Sequence, residues 1–397
     1  MKTKRLLVVL LCLAAIVALA ACASSPNSAD SNELSPDGQI DMGVGGDNVE
    51  VNLSDVHMDA AEAAAAGNWE AMFTPVPAEG RASDYLDFDL TPTEEELEAM
   101  KNEPAYGQTI RYELLEGCSS GTSIAEHLGY YEDAGINVEG VKGEHYVEAL
   151  GTGQVHIAIC HIATSIVPIT NGVDITFVGG AHLACKSLYV LADSDYNTTE
   201  DLKGTAVAVP NGIGASDYNI TSLMLDDDGI NPLTDVTLTQ VSADACVAAM
   251  QRGEISAALL SDVYAYSMLK DGTLKCISSM LDSDYAEVGI CCALAMNGTF
   301  VKENPVHTKK LVQAIQKALC WMRENPEEAS QTMLDLGLAA GDLKMNTMTN
   351  NSLQYGLSDD FTKKELQEII NRYIRLGLIT SMDDPQAVMD LAWSPVL

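Results

Sequence analysis

The residues Thr205-Ala-Val-Ala-Val-Pro-Asn-Gly-Ile-Gly-Ala-Ser216 combine an apolar run, a glycine-containing turn and the start of a helix. Thr205–Val209 predicts a buried strand, Pro210–Ala215 a loop, and the following residues a helix that reaches about Asp227. A strand that leads through a short loop into a helix is the first part of a β-α-β unit, whose next strand runs parallel to the first. This stretch therefore predicts an α/β fold.

The same strand–helix rhythm occurs twice along the chain. It covers residues 109–180 and then residues 204–276, and the chain beyond Asn304 is predicted to be helical. Repeated β-α-β units predict sheets rich in parallel strands, with helices on both faces. We therefore expect two α/β lobes followed by C-terminal helices.

Two helix starts are predicted from their capping residues. Thr93 precedes the acidic run Glu94–Glu96, and acidic side chains in a first turn interact favourably with the positive end of the helix dipole. Ser123, with Glu126 three residues later, has the spacing of a capping box. The second helix is expected to run from Ser123 to about Asp133.

The N-terminus has the pattern of a secretory signal. Basic residues in Met1–Arg5 precede the apolar run Leu6–Ala18, and small residues come directly before Cys22. The apolar run is short for a membrane-spanning helix, which favours a cleaved signal over an uncleaved anchor with an incidental Cys22. Leu19–Cys22 resembles a bacterial lipobox. The resemblance implies cleavage before Cys22, lipidation of its thiol and attachment to the outer face of the bacterial cell membrane.

The charge balance is strongly acidic, because the chain has 22 Lys and Arg residues but 57 Asp and Glu residues, which give a formal net charge of −35. Loss of residues 1–21, which carry three bases and no acid, would leave −38, of which residues 23–104 contribute −17. Nearly half of that charge thus lies ahead of the α/β pattern. Such a chain repels nucleic acid, so no nucleic-acid partner is expected. Net charge does not fix the sign of a small ligand.

Ten cysteines are present, and eight of them follow Cys22. Their spacings give no CxxC framework, and several lie in apolar runs, where a thiol acts as a small hydrophobic group. We therefore expect mostly free cysteines, with no metal and no cofactor. These eight residues are Cys118, Cys160, Cys185, Cys246, Cys276, Cys291, Cys292 and Cys320.

Ligands of open α/β sheets bind beyond the carboxyl ends of the strands, so the loops that follow strands supply the candidate binding residues. The backbone N–H groups of residues 211–216, together with the Ser216 hydroxyl, can hold an anion or a carbonyl group. Asp262 can either accept hydrogen bonds from a ligand or cap its helix. The candidates are Cys118, Ser119, Ser120, His145, His161, Thr164 and His182 in the first lobe, and Asn211, Gly212, Ser216 and Asp262 in the second.

Three of these candidates are histidines that follow successive strands of the first lobe. A neutral imidazole can donate and accept hydrogen bonds and can stack on an aromatic ligand. His145, His161 and His182 are therefore expected to act as a group if they converge. The nearby cysteines leave transition-metal binding open as an alternative, although the spacings match no recognised ligand set.

Several segments resemble substrate-binding proteins of ABC importers, in the NMT1/THI5-like and sulfonate/nitrate/taurine group. The resemblance covers roughly residues 108–335 and implies a type II periplasmic-binding fold, in which two hinged lobes close on a small ligand. His156 and Ser256 stand where this group usually has Asp at the start of a strand. The segments are His127–Val138, Ala149–Val155, Glu200–Pro210, Ala248–Ala257, Phe300–Pro305 and Asn325–Ala329.

The resemblance also implies a function. It predicts a solute-binding lipoprotein, not an enzyme, that passes a small organic solute to an ABC permease and its ATPase; the solute would be pyrimidine-like, a sulfonate or another small anion. A metal-binding or sensory lipoprotein is the alternative. A pyrimidine-synthesis enzyme is a remote one, because no third residue orients a Cys118–histidine pair. The implied plan is signal 1–21, acidic tether and partly ordered extension 22–107, lobe 1 108–195, lobe 2 196–285, and return to lobe 1 with C-terminal helices 286–397.

Overall fold

The computed structural model describes residues 69–75, 80–143, 145–281 and 289–397. The predicted signal, the lipidation site at Cys22 and the tether lie outside these residues. Within the described ranges, no helix combines the length and the apolar character needed to cross a membrane.

Ten strands and fourteen α-helices are described, together with short 3-10 helices at Trp69–Phe73, Gly117–Ser119 and Thr199–Leu202. The strands are β1 Thr109–Glu113, β2 Asn137–Val141, β3 Ile157–His161, β4 Ile175–Leu183, β5 Lys186–Leu191, β6 Ala206–Ala208, β7 Thr237–Thr239, β8 Ala257–Ser261, β9 Leu274–Ser279 and β10 Ile290–Asn297. The helices are α1 Glu94–Met100, α2 Gly121–His127, α3 Tyr130–Asp133, α4 Tyr146–Gly151, α5 Ile162–Thr170, α6 Ser216–Asp227, α7 Ala243–Gln251, α8 Asp262–Lys270, α9 Gly298–Glu303, α10 Pro305–Glu324, α11 Pro326–Asp335, α12 Leu343–Ser352, α13 Asp359–Arg375 and α14 Pro385–Ala392.

The strands form two five-stranded sheets, as the repeated rhythm predicts. The first has the order β2-β1-β3-β10-β4, and the second has the order β7-β6-β8-β5-β9. In the first sheet β1 is parallel to β2 and β3, whereas β10 is antiparallel to both of its neighbours. In the second sheet β6 is parallel to β7 and β8, whereas β5 is antiparallel to β8 and β9. The prediction of two α/β lobes is confirmed.

The chain first crosses between the sheets at Ala184 and Cys185. Lys186–Leu191 already pairs with β8 and β9, so the second sheet begins ahead of the predicted lobe boundary at residue 195. Both crossing residues have positive φ, 47° and 120°. Only glycine adopts such angles without cost, so this crossing is a strained segment. The predicted return near residue 286 lies within 282–288, outside the described residues.

The two predicted helix starts have different outcomes. Thr93 forms a full capping box, because its Oγ1 accepts from the backbone N–H of Glu96 while the Glu96 carboxylate accepts from the N–H of Thr93. The prediction at Ser123 is wrong, since the helix begins at Gly121 and Ser123 lies in its first turn. A Cβ on Gly121 would come within 2.6 Å of Leu319. Close packing against α10 therefore leaves little room for a side chain at the first residue of α2.

The two positions that depart from the family pattern keep a structural role at the start of a strand. The Nδ1 atom of His156 accepts a hydrogen bond of 2.9 Å from the backbone N–H of Arg111. Burial, followed by the charge of Arg111, lowers the pKa of His156 and keeps the imidazole neutral for this role. Ser256 donates to the hydroxyl of Tyr196 over 3.0 Å.

The described end of the acidic extension packs onto the body. The ring of Trp69 lies edge-on to Tyr266 at 5.2 Å between centroids. The carboxylate of Glu103 accepts hydrogen bonds from the backbone N–H groups of Val306 and His307 at the start of α10. Helices α10, α13 and α14 in turn contact β4 of the first sheet. The C-terminal helices thus pack on the first lobe.

Candidate functional site

Sulfur and imidazole side chains from five segments meet at the carboxyl edge of the first sheet. Two topological features produce this convergence. The parallel strands end at this edge, and the antiparallel β10 begins there, so residues distant in sequence become neighbours. We call these six residues the sulfur–imidazole cluster: Cys118, His161, His182, Cys185, Cys291 and Cys292.

The cluster is held by short sulfur contacts. The Nδ1 atom of His161 lies 3.2 Å from the Cys291 sulfur and 3.5 Å from the Cys292 sulfur. The sulfurs of Cys185 and Cys291 are 3.3 Å apart, and those of Cys291 and Cys292 are 3.9 Å apart. The thiol of Cys118 completes the group through contacts with Cys185 and Cys292. No disulfide links the eight cysteines in the part of the chain that the structure describes.

His182 lies at the buried side of the cluster with its side chain fully enclosed. Its Nδ1 is 2.8 Å from the carbonyl oxygen of Leu183, and its ring is 5.4 Å from the ring of Tyr355. Its Nε2 lies beside the sulfur of Cys118 and makes no hydrogen bond of good geometry with any described residue. A buried polar nitrogen without such a bond is costly, so this atom has the capacity to bind something more.

Mutual contacts divide the four thiols by acidity. Hydrogen bonds from Cys185 and Cys292 hold the pKa of the Cys118 and Cys291 thiols well below its ordinary value. The donating thiols have a raised pKa: that of Cys185 is raised mainly by its hydrogen bonds to Cys118 and Cys291, and that of Cys292 mainly by burial, followed by the same kind of hydrogen bond. Burial alone would lower the pKa of His182, but the charge of Cys118 raises it to about 9. The cluster can therefore carry thiolates beside an imidazolium.

The second lobe places a buried ion pair close to the cluster. Lys186, directly after Cys185, pairs with Asp217 at the start of α6 and donates to the Ser216 hydroxyl over 3.1 Å. Burial alone would lower the pKa of Lys186, but Asp217 raises it. The carboxylate of Asp217 also accepts from the backbone N–H of Asn211 over 2.9 Å. The chain thus supplies its own carboxylate at the loop predicted to hold an anion.

Asp262 lies on the same side of the crossing, at the first residue of α8. It is buried, accepts a hydrogen bond of 2.7 Å from the Tyr189 hydroxyl, and donates its backbone N–H to the carbonyl of Cys185. Its side chain does not cap the helix, whose N-cap is Ser261. Burial raises the pKa of Asp262 to about 6, so it can exchange a proton near neutral pH.

The remaining predicted residues take different positions. Ser119 and Ser120 are buried beside Cys118, and the Oγ of Ser120 has no partner among the described residues. The side chain of Thr164 forms a hydrogen bond with the hydroxyl of Tyr146. Gly212 adopts a φ of 89°, which glycine alone accepts freely. His145 is exposed at the start of α4, and nothing in the described part of the chain joins it to the cluster.

Sequence reasoning missed four residues of this region: Lys186, Asp217, Cys291 and Cys292. Cys185 is one of the nearby cysteines that leave metal binding open in the sequence. Lys186 carried a signal, because a single lysine at the start of an apolar strand must be paired if it is buried. The adjacent cysteines of β10 carried no such signal. They stand in an apolar run and reach the other thiols only through the antiparallel insertion of β10.

The two lobes are in contact beside the cluster. The side-chain amide of Asn219 in α6 donates to the carbonyl of Ala163 in α5 over 2.6 Å. A cavity with about 20 Å³ of free space lies next to Cys291, with room for about a single water molecule. Its walls are apolar, and they come from both lobes and from α13.

Comparisons with known proteins agree with this geometry. A family model described as "NMT1/THI5 like" matches residues 119–329, more than half of the chain. A protein of Bacillus subtilis (strain 168), named as an aliphatic sulfonates-binding protein, is 24% identical over 278 residues, which are 67% of this chain and 81% of the relative.

Solved structures with the same fold include two sulfonate-binding proteins. The periplasmic aliphatic sulphonate binding protein SsuA from Escherichia coli gives a TM-score of 0.59 at 18% identity, covering 72% of this chain and 92% of the other. The alkanesulfonate-binding protein SsuA from Xanthomonas axonopodis pv. citri, bound to MOPS, gives 0.58 at 16% identity, covering 73% and 99%. These likenesses confirm the predicted periplasmic-binding fold.

Proposed function

The chain belongs to the NMT1/THI5-like family, and from this premise we propose that it is an extracytoplasmic solute-binding protein that delivers its solute to an ABC permease. The observation that carries the proposal is the convergence of polar groups at the carboxyl edge of the first sheet, facing the second lobe. In two-lobed α/β proteins this edge is where ligands bind.

The residues on the two sides of the crossing suit a small solute with both polar and ionic groups. His161 is partly exposed at the edge of the first lobe, and the buried Lys186 supplies a cation at the crossing. A sulfonate or another small anion would share that ammonium with Asp217. A pyrimidine-like solute would use the imidazole and hydroxyl groups of the first lobe. The sulfonate-binding relatives favour the anion.

We also propose attachment to the membrane through lipid on Cys22, with the acidic tether and extension of residues 22–107 between the lipid and the two lobes. The lipobox-like Leu19–Cys22 and the following run rich in Ser, Asn, Asp and Gly support this part of the proposal. A binding protein held at the outer membrane face by one lipid can reach a permease in the same membrane. Membrane fractionation of the native chain against a Cys22→Ser variant tests it, since only the native chain should remain membrane-bound.

Thermal-shift screening tests the solute-binding function. The full chain with Cys22→Ser, which cannot be lipidated, is screened in the presence of a chelator against alkanesulfonates, nitrate, pyrimidines and aromatic carboxylates. A solute present at 100 times its dissociation constant stabilises the folded form by about 2.7 kcal/mol, a clear rise in Tm. Titration calorimetry should then give one solute per chain.

Recovery of the bound solute distinguishes binding from catalysis. The half-buried Cys118 and the buried His182 lie side by side, so turnover is examined directly. Mass spectrometry of the solute after long incubation should return it unchanged. If no solute raises Tm, or if the bound solute is converted, the proposed function is wrong.

A further inference from the structure

The sulfur–imidazole cluster contains three potential metal ligands in mutual reach. The ligand atoms of His161, Cys291 and Cys292 all lie within 4.8 Å of one another, the only such group of three found among the described residues. The two sulfurs are buried and the imidazole is half-buried. An ion can therefore reach the site from the side of His161 while the sulfurs remain shielded from solvent.

The distances fit the geometry of a four-coordinate ion. Zinc lies about 2.3 Å from thiolate sulfur and about 2.0 Å from imidazole nitrogen, so neighbouring ligand atoms of a tetrahedron are about 3.5 to 3.8 Å apart. The observed separations are 3.2 Å and 3.5 Å from the His161 nitrogen to the two sulfurs, and 3.9 Å between the sulfurs. Shifts of a few tenths of an ångström would accommodate an ion.

A fourth ligand is at hand. The sulfur of Cys185 is 3.3 Å from that of Cys291, and the sulfur of Cys118 contacts that of Cys292. The fully buried His182 lies beside Cys118 and brings a second imidazole next to the same sulfurs.

We propose that the sulfur–imidazole cluster binds one thiophilic d10 metal ion, Zn²⁺ or Cu⁺, through His161, Cys291, Cys292 and a fourth thiolate from Cys185 or Cys118. Soft thiolate ligands select this class of ion over Mg²⁺ or Ca²⁺. Coordination involves no change of oxidation state, since each coordinating thiol loses its proton to solvent while the ion loses water. The proposal rests on the proposed function only in placing the ion in the solute cleft.

The first experiment uses the full chain with Cys22→Ser, prepared reduced and free of oxygen and treated with a chelator. Titration with Co²⁺ should give thiolate-to-metal charge-transfer absorption that saturates at one ion per chain, and Zn²⁺ should remove it. A separate arm titrates Cu⁺ against a coloured Cu⁺ chelator, which tells the two ions apart. Elemental analysis after desalting gives the stoichiometry.

Single substitutions identify the ligands. Cys291→Ala and Cys292→Ala should each weaken binding by about 100-fold or more, because loss of a direct ligand exceeds the 10- to 100-fold effect of an outer partner. The matched control is Cys276→Ala, which removes an equally buried thiol from the second sheet and should leave affinity unchanged. His161→Gln changes a half-buried side chain, so it keeps the test valid if a cysteine variant fails to fold.

The outcomes separate this proposal from the proposed function. Solute binding in chelator without any charge-transfer band would overturn the metal site and leave the function standing. Metal binding without any stabilising solute would support the metal site and contradict delivery of an organic solute. Metal binding that persists in Cys291→Ala, Cys292→Ala and His161→Gln would overturn the assignment. A Cys185–Cys291 disulfide in protein purified without oxygen would overturn it too.

Discussion

Arg372 joins the C-terminal helix α13 to helix α6 of the second lobe. Its guanidinium is buried and donates from Nη2 to the carbonyl of Leu223 over 2.7 Å, to Asp226 over 3.1 Å and to Asp227 over 2.7 Å. Replacing it with methionine keeps most of the apolar side chain and removes the charge. Removing one partner of a buried ion pair costs about 3–5 kcal/mol, because the other partner stays buried without compensation.

We expect Arg372→Met to lower the free energy of unfolding by less than that range. Arg375 still binds Asp226 through two hydrogen bonds of 2.7 and 2.6 Å, so only Asp227 loses its cation. We expect a loss of about 2–3 kcal/mol in the free energy of unfolding at pH 7. Urea denaturation measures it, and an unchanged slope with a lower midpoint would show a change of stability alone.

The same variant makes a prediction about pH. Burial raises the pKa of Asp227 to about 6 although Arg372 lowers it, so this carboxyl binds its proton more tightly in the folded chain than at its ordinary 3.8. A raised folded pKa favours folding below pH 4, and that advantage is lost as pH rises through 6. The defect should therefore shrink as pH falls from 7 to 4.

An exposed pair on the second lobe supplies the control. Arg252 pairs with Glu254 at the solvent-exposed surface, so Arg252→Met should leave the free energy of unfolding nearly unchanged. If Arg372→Met costs no more than this control, the view of Arg372 as a buried connection between the lobes is refuted.

Three further predictions concern the fold. Glu96→Gln should lower the free energy of unfolding by about 1–2 kcal/mol at neutral pH. Burial alone would raise the pKa of Glu96, but a backbone N–H and two lysines lower it to about 2. Denaturation at several pH values should show the difference between the two proteins vanish as pH falls from 4.5 to 2. Gly121→Ala should cost about 1–3 kcal/mol, because the new Cβ would lie 2.6 Å from Leu319, and an unchanged Tm would contradict this packing. Lys186→Met should lower the free energy of unfolding by about 3 kcal/mol, because it leaves Asp217 buried and unpaired. Adding Asp217→Asn to this variant should restore part of that loss. A double variant as unstable as the single one would show that the charge of Asp217 is not the cause.

Much of the fold follows from local patterns. The apolar runs of β1, β3, β6 and β8 and the helices between them are visible in the sequence, because β-α-β units are built from neighbours along the chain. The antiparallel insertion of β10 between β3 and β4 depends on pairing across more than a hundred residues, and no local pattern encodes it. The capping-box spacing at Ser123 predicts the wrong helix start, and this local pattern carries no information on the close contact between Gly121 and the distant Leu319.

The candidate site was predictable to the extent that strands end at one edge. The sequence identifies His161 and His182 as candidates because they follow first-lobe strands, and both lie in the sulfur–imidazole cluster. The exposed His145, a candidate for the same reason, does not lie in the cluster. Cys291 and Cys292 were interpreted as small hydrophobic groups. Their burial agrees with that interpretation, but their chemistry comes from the other sulfurs that the topology brings to them.

The solute is proposed to bind between the carboxyl edges of the two sheets. Hydrogen exchange on the full chain with Cys22→Ser, with and without the most stabilising solute from the screen, tests it most directly. Amides on both sides of the cleft should be protected from exchange by the solute. These are residues 117–120, 161–165 and 289–292 of the first lobe and residues 211–217 of the second. Protection confined to one lobe, or to residues distant from this edge, would contradict it.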